Sequence, residues 1–271
     1  MHNLHYGTAL ITGASSGLGA AFARQLAQNG SDLILVARRS DRLTSLADEL
    51  SGKYGISAQV LVADLSRDED IARVEAQIDG TEHLSLLVNN AGFGIKDRFS
   101  DGSLEKHLDM IQVHILTTIR LLRRALPSMV EHHRGAIINV ASMAAFLPYR
   151  SSTYAATKAY LVAFSQGLAY ELRDTGISIQ ALCPGFFYSE FHDTPELSGF
   201  KRSSIPKIFW LEAEDVVGES LKALSQNRIL CIPGVQYKIV AWLARSPLTG
   251  ALITRIAQLR FGRKFDPFED G

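Results

Sequence analysis

Short apolar runs alternate with longer amphipathic stretches along most of this chain, the pattern of a parallel sheet covered by helices. Strand candidates are Thr8 to Thr12, Asp32 to Ala37, Ala58 to Ala63, Leu84 to Asn89, Ala136 to Ala141 and Ser178 to Cys183. They are apolar on both faces, as strands are when helices pack on both sides of a sheet. Between them, residues 17 to 29, 41 to 53, 67 to 80 and 103 to 131 have the length that right-handed crossovers need. Further helices are expected at 152 to 174 and 213 to 226, the latter followed by a short strand near Ile229 to Ile232. The fold class is therefore α/β, a single-domain doubly wound parallel sheet. Residues 186 to 210 break the pattern, with Pro195, Gly199 and Pro206 among Phe186, Phe187, Phe191, Phe200, Phe209 and Trp210. A loop with short helices is expected there, its rings either covering a ligand or packing on one another.

The segment Thr12 to Gly19, TGASSGLG, follows the first strand and opens a helix, which is the context a phosphate-binding glycine turn requires. Gly13 suits the tight turn, Gly17 lets a pyrophosphate approach the helix start, and Gly19 permits close helix-to-sheet packing. The helix amino terminus supplies N–H groups for anionic oxygens. Gly13, Ser15, Ser16, Gly17, Leu18 and Gly19 are thus candidate dinucleotide contacts. The second strand ends in Ala37 where an NAD site usually has a carboxylate for the ribose hydroxyls. Arg38, with Arg39 beside it, could instead fork onto a 2′-phosphate, which favours NADP(H); solvation of the strand end is the competing reading. Asp64, with Leu65, follows the third strand, either at the adenine edge or as a turn former. The segment Asn89 to Gly92, NNAG, would place Asn90, Ala91 and Gly92 beside the same cofactor.

Ser142 lies just past the fifth strand, and Tyr154 and Lys158 stand four residues apart on the next helix. That spacing puts phenol and ammonium on one helical face. A nearby cation favours tyrosinate, and a serine hydroxyl can hold a substrate oxygen.

With TGxxxGxG, NNAG, Ser142 and YxxxK together, residues 6 to 235 resemble the short-chain dehydrogenase/reductase family, and most closely its NADP(H)-preferring, ketoacyl reductase-like bacterial group. The resemblance implies a seven-stranded Rossmann-type sheet. It also implies that Ser142 orients a carbonyl or alcohol, that Tyr154 acts as general acid or base, and that Lys158 binds the nicotinamide ribose and lowers the Tyr154 pKa. Pro184 and Gly185, followed by Ser189, look like the family's PGxxxT segment beside the nicotinamide. One position departs from the pattern: His114 stands where the family often carries an asparagine that helps hold a water linked to the lysine. A histidine there could hold the water through a ring nitrogen, retune the pH dependence, or simply pack. The family also implies a homodimer or homotetramer built on the helices at 103 to 131 and 152 to 174.

The implied reaction is hydride transfer between NADPH and a carbonyl carbon, and Phe93, Phe146 and Tyr149 with the 186 to 210 aromatics suggest a medium-sized apolar substrate. An NADPH-binding sensor or scaffold with little turnover is the alternative. Composition adds location. The 271 residues carry 28 basic and 28 acidic side chains, and the two cysteines, Cys183 and Cys231, form neither a metal cluster nor a disulfide framework. With no recognisable leader, a reduced, cytoplasmic protein is expected. Neutral charge and the lack of a reading module argue against nucleic acid. The neutrality is uneven, however: residues 236 to 265 hold six basic residues and no acidic one. The extension 236–271 is thus separated from the catalytic domain 1–235 as a basic, apolar helical segment with an acidic tail. Two short helices, parted near Ser246 and Pro247, are expected in it. Peripheral membrane contact and ordinary subunit packing both account for its pattern.

Overall fold

The first strand shows how the sheet is built. In β1 (Thr8–Thr12), Ala9 and Ile11 face one side and Leu10 the other, and all three are fully buried. In the computed structural model, which describes residues 6–96, 99–100, 102–147, 151–194, 197 and 199–245, six more strands follow. They are β2 (Asp32–Ala37), β3 (Ala58–Val62), β4 (Leu84–Asn89), β5 (Gly135–Val140), β6 (Ile177–Leu182) and β7 (Leu230–Cys231). All pair in parallel, in the order β3-β2-β1-β4-β5-β6-β7. The expected Rossmann-type sheet is therefore present. Strand order reverses between β1 and β4, so a crevice opens at their carboxyl ends, where open α/β sheets bind ligands.

One face of the sheet is covered by α1 (Gly17–Gln28), α2 (Ser40–Tyr54) and α7 (Ala213–Leu224), through Phe22, Leu26, Leu43, Leu50, Val217 and Leu221. The other carries α3 (Asp68–Asp79), α5 (Thr117–Glu131) and α6 (Ser152–Glu171), through Ile71, Val74, Leu121, Leu122 and Leu168. Each such side chain contributes roughly 1.5–3 kcal/mol on burial, which is why neither face of the inner strands carries the alternation of a half-wet sheet.

The helix expected at 103 to 131 is not regular. It consists of α4 (Leu104–Ile111), a π turn over Gln112–Leu116, and then α5. A π turn accommodates an extra residue, and such turns gather at functional sites; His114 lies in this one, buried. The first helix expected in the extension is α8 (Val235–Arg245), whose Tyr237 and Ala241 are buried with Met143. Residues 246–271, including the second expected helix, lie outside the described residues, as does Tyr149.

Candidate active site

The glycine turn is tied to the neighbouring strand end. Thr12 Oγ1 accepts from the N–H groups of Asn90 and Ala91 at 2.9 and 3.0 Å, and Asn90 Nδ2 donates to the Thr12 carbonyl at 2.9 Å. The NNAG segment thus braces the loop that follows β1. Gly13 has φ +68°, and a Cβ at Gly19 would stand 2.2 Å from the Gly13 carbonyl oxygen, so the turn closes only without a side chain there. Ser16 precedes α1 without capping it through its side chain, leaving the helix amino end open for an anionic oxygen.

Of the two arginines after β2, the structure brings Arg39 to this loop. Its guanidinium donates to Ser15 Oγ at 3.0 and 3.2 Å and to Ser16 Oγ at 2.7 Å. Arg38 is exposed and has no polar partner among the described residues. Adjacent side chains leave a strand end in opposite directions, so only one of the pair turns back. Arg39 also meets Glu190 at 2.9 Å, and Arg42 meets the same carboxylate oxygen at 2.5 Å. A cleft of about 310 Å³ lined by Ser15, Asp41, Arg42 and Ser45 opens alongside. Asp64 is engaged in a turn: its Oδ1 accepts from the N–H and hydroxyl of Ser66 at 3.1 and 2.8 Å. Leu65 is buried, and its carbonyl accepts from Thr117 Oγ1 at 3.1 Å.

Ser142, Tyr154 and Lys158 converge at the carboxyl end of β5. Ser142 begins a short 3₁₀ turn, and its Oγ accepts from the Ala144 N–H at 3.1 Å. Helix α6 is held against β4 and β5 by a buried polar chain: Asn89 Nδ2 donates to Asn139 Oδ1, Asn139 Nδ2 to Ser165 Oγ, and Ser165 Oγ to the Leu161 carbonyl. A satisfied network of this kind fixes the helix in one register. The half-buried Tyr154 thereby faces the crevice, with Lys158 Nζ 5.7 Å from its ring centre. Lys158 is buried and donates to the Val140 carbonyl at 2.8 Å; desolvation lowers its pKa to about 8. Its ammonium is charged at neutral pH.

His114 uses both ring nitrogens on protein. The Phe93 N–H donates to Nε2 at 3.1 Å, so the ring proton sits on Nδ1 and is given to Thr157 Oγ1 at 2.9 Å. Thr157 Oγ1 in turn donates to the Tyr154 carbonyl at 2.8 Å. This corrects the expectation that a ring nitrogen is available to hold a water: the imidazole links the loop after β4 to the backbone of Tyr154 instead. Burial, with the Lys158 charge adding, pushes the imidazole pKa well below 6.5. The folded ring therefore stays neutral where an unfolded one takes a proton, and the stability present above pH 6.5 is lost as pH falls. Urea unfolding below pH 6.5 should show the natural protein losing up to about 1.4 kcal/mol per pH unit more than a His114→Asn variant. Equal slopes would remove the buried-imidazole account.

The segment after β6 completes the site. The Pro184 carbonyl accepts from the Met143 N–H at 2.9 Å, and Ser189 lies by the glycine loop, its Cβ 3.3 Å from where a Gly17 Cβ would stand. Gly185 packs beneath Tyr237, whose hydroxyl accepts from the Phe186 N–H at 2.8 Å and donates to the Phe209 carbonyl. The aromatics divide into two groups. Phe186, Tyr188 and Phe200 gather around Trp210 at 5.1 to 6.3 Å and so pack mainly on one another. Phe191 stands 6.3 Å from the Tyr154 ring, and Phe93 lies edge-on to His114. Arg42, Glu190 and Tyr237 carry no motif, and only the closeness of Arg42 to Arg39, which immediately precedes α2, was a local signal.

Comparison with known proteins agrees with this geometry. The model of the short chain dehydrogenase family matches residues 7–196. An uncharacterized oxidoreductase of Staphylococcus epidermidis is 34% identical over 220 residues, covering 80% of this chain and 90% of the relative. A very-long-chain 3-oxoacyl-CoA reductase of Anas platyrhynchos is 37% identical over 182 residues, covering 65% of this chain and 58% of its own. The solved short-chain dehydrogenase from Sphingobium yanoikuyae, in complex with NADPH, superposes with a TM-score of 0.81 at 33% identity over 93% of this chain and 95% of that one. With the family model matching most of the chain, a relative 34% identical over 80% of it, and the sheet order and glycine turn in agreement, the chain belongs to the short-chain dehydrogenase/reductase family.

Proposed function

We propose that the protein uses NADPH to reduce a carbonyl group on a medium-sized apolar substrate, with Tyr154 as general acid. The observation that carries this reading is the buried ammonium of Lys158 beside Tyr154, on a helix facing the same crevice as the glycine turn. No carboxylate pairs with that ammonium among the described residues, so its charge is available to the tyrosine and to a ribose hydroxyl. The dinucleotide fits the residues present: the glycine turn excludes side chains, the α1 amino end is open, and Ala37 offers no carboxylate to select an unphosphorylated ribose. Arg39 and Arg42 supply the fork for a 2′-phosphate, and Arg38, with no polar partner among the described residues, is left outside it. The coenzyme, when bound, contributes the hydride.

The chain's own groups do the rest. Ser142 Oγ holds the carbonyl oxygen, and the Tyr154 hydroxyl donates the proton to that atom as charge builds on it. Lys158 steadies the resulting tyrosinate, and His114, through Phe93 and the Tyr154 carbonyl, keeps the two elements in register as a positioning residue. Phe191 and Phe93 give the apolar wall, and the likeness to the 3-oxoacyl-CoA reductase of Anas platyrhynchos supports the 3-keto group of an acyl thioester as one substrate class. Leu104, Leu108 and Leu116 and Tyr170, all exposed, lie on the helices through which a homodimer or homotetramer would form. No helix among the described residues is long and apolar enough to cross a membrane.

The test is coenzyme oxidation over a broad panel of apolar ketones, aldehydes and 3-oxoacyl thioesters. NADPH should be consumed with at least one class and preferred over NADH. Tight NADPH binding without oxidation across the panel would favour a sensor or scaffold instead.

A further inference from the structure

The arginine pair at the glycine turn already holds an anion, and it is the protein's own. Glu190 Oε2 accepts from Arg39 Nη1 at 2.9 Å and from Arg42 Nη1 at 2.5 Å, across about 150 residues of chain. Arg39 is oriented for this by Ser15 and Ser16, hydroxyls of the phosphate-binding turn itself. Glu190 thus occupies, with one carboxylate, the fork that the proposed function gives to the 2′-phosphate. The same residue opens the 3₁₀ turn Glu190–Asp193, which carries Phe191 to its place 6.3 Å from the Tyr154 ring. Its far side is anchored by Arg202, which donates to the Ser189 carbonyl and to Asp193 at 2.6 Å each.

We propose that Glu190 is an internal competitor for the 2′-phosphate subsite. Entry of NADP(H) displaces its carboxylate from Arg39 and Arg42 and so frees the Glu190–Asp193 turn, with Phe191, above Tyr154. This rests on the reading of Arg39 and Arg42 as the 2′-phosphate fork. The three side chains are 44 to 50% exposed, and ion pairs with that exposure are weak. A phosphate carrying close to two charges and three acceptor oxygens outcompetes a lone carboxylate for two guanidinium forks. A coenzyme without the phosphate has nothing with which to displace Glu190, and leaves the turn latched over the reacting centre. The latch therefore couples recognition at the adenosine end to access at the substrate end.

Binding titrations with adenosine 2′,5′-bisphosphate and with ADP test this without involving the nicotinamide end. Glu190→Gln should tighten the bisphosphate three- to tenfold and change ADP less than twofold. Asp193→Asn, which removes the same charge from the same turn, should produce no such gain. An equal gain from both variants would show a diffuse charge effect and overturn the proposal. So would a Glu190→Gln variant that binds the bisphosphate no better, while Arg39→Ala and Arg42→Ala still weaken it selectively; in that outcome the 2′-phosphate reading stands and only the latch fails. If the two arginine variants leave the preference for bisphosphate over ADP unchanged, the 2′-phosphate reading itself falls, and the latch with it.

Discussion

Tyr154→Phe should leave NADPH affinity within about twofold of the natural protein while lowering kcat by roughly 10²- to 10⁴-fold, the range that a positioned proton donor supplies. The substitution removes one hydroxyl from a half-buried ring and keeps its contacts with His114 and Phe191, at 5.8 and 6.3 Å. The ring packing is therefore kept, and a thermal melt alongside the kinetics shows that the loss reads the chemical step. Stopped-flow measurement of a single turnover, on whichever carbonyl the panel identifies, separates this from slow product release. Turnover that survives the change would mean that another group protonates the oxygen, and Ser142 would then be the residue to examine.

A methyl group at Gly185 should lower stability strongly. Its Cβ would stand 1.9 Å from Tyr237 Cζ and 2.1 Å from Cε1, so the ring has to leave. Tyr237 is 5% exposed and holds both the Phe186 N–H and the Phe209 carbonyl through its hydroxyl. Displacing it combines overpacking with two lost hydrogen bonds, about 2–5 kcal/mol in total. For a chain of this size that corresponds to a Tm lowered by roughly 5–15 °C. A Gly185→Ala, Tyr237→Ala double variant should lose less than the sum of the singles, because the second change makes room for the first. Strict additivity would show that the clash relaxes elsewhere.

These residues mark what could be read from the chain and what could not. The strands were legible because their signal is local, an apolar run ended by Gly, Pro or a polar residue. Even so, β5 and β6 begin and end one residue earlier than their apolar runs. The glycine turn, NNAG, Ser142, Tyr154 and Lys158 were legible because each needs a particular residue type at a fixed spacing. The choice between Arg38 and Arg39 was not, since hydrophobic period says nothing about which neighbour turns back toward Ser15. Glu190 and Tyr237 were invisible for a different reason. Their partners are distant in the chain, about 150 residues from Glu190 and 51 and 28 residues from Tyr237, and a single acidic or aromatic side chain carries no pattern of its own. The role of Tyr237 also places α8 against the substrate segment, although the residue falls just past position 235, where composition changes. His114 was noticed as a departure from a family pattern, but its partners depend on the π turn, and a helical repeat does not reveal one inserted position.

That turn constrains how the gene can change. Deleting any one residue from 112–116 would restore an unbroken α-helical ladder locally, a gain in backbone regularity. Because the turn absorbs that one extra residue locally, the helix after it would keep its phase. Leu121, Leu122, Ala125 and Met129 would stay buried against the sheet, and Arg120 would keep Glu75 and Asp68, which it meets at 2.7 Å. The loss would fall on His114, whose bonds to the Phe93 N–H and to Thr157 are set within the turn. In-frame loss of a single codon here should therefore spare the fold and break the link from the loop after β4 to Tyr154.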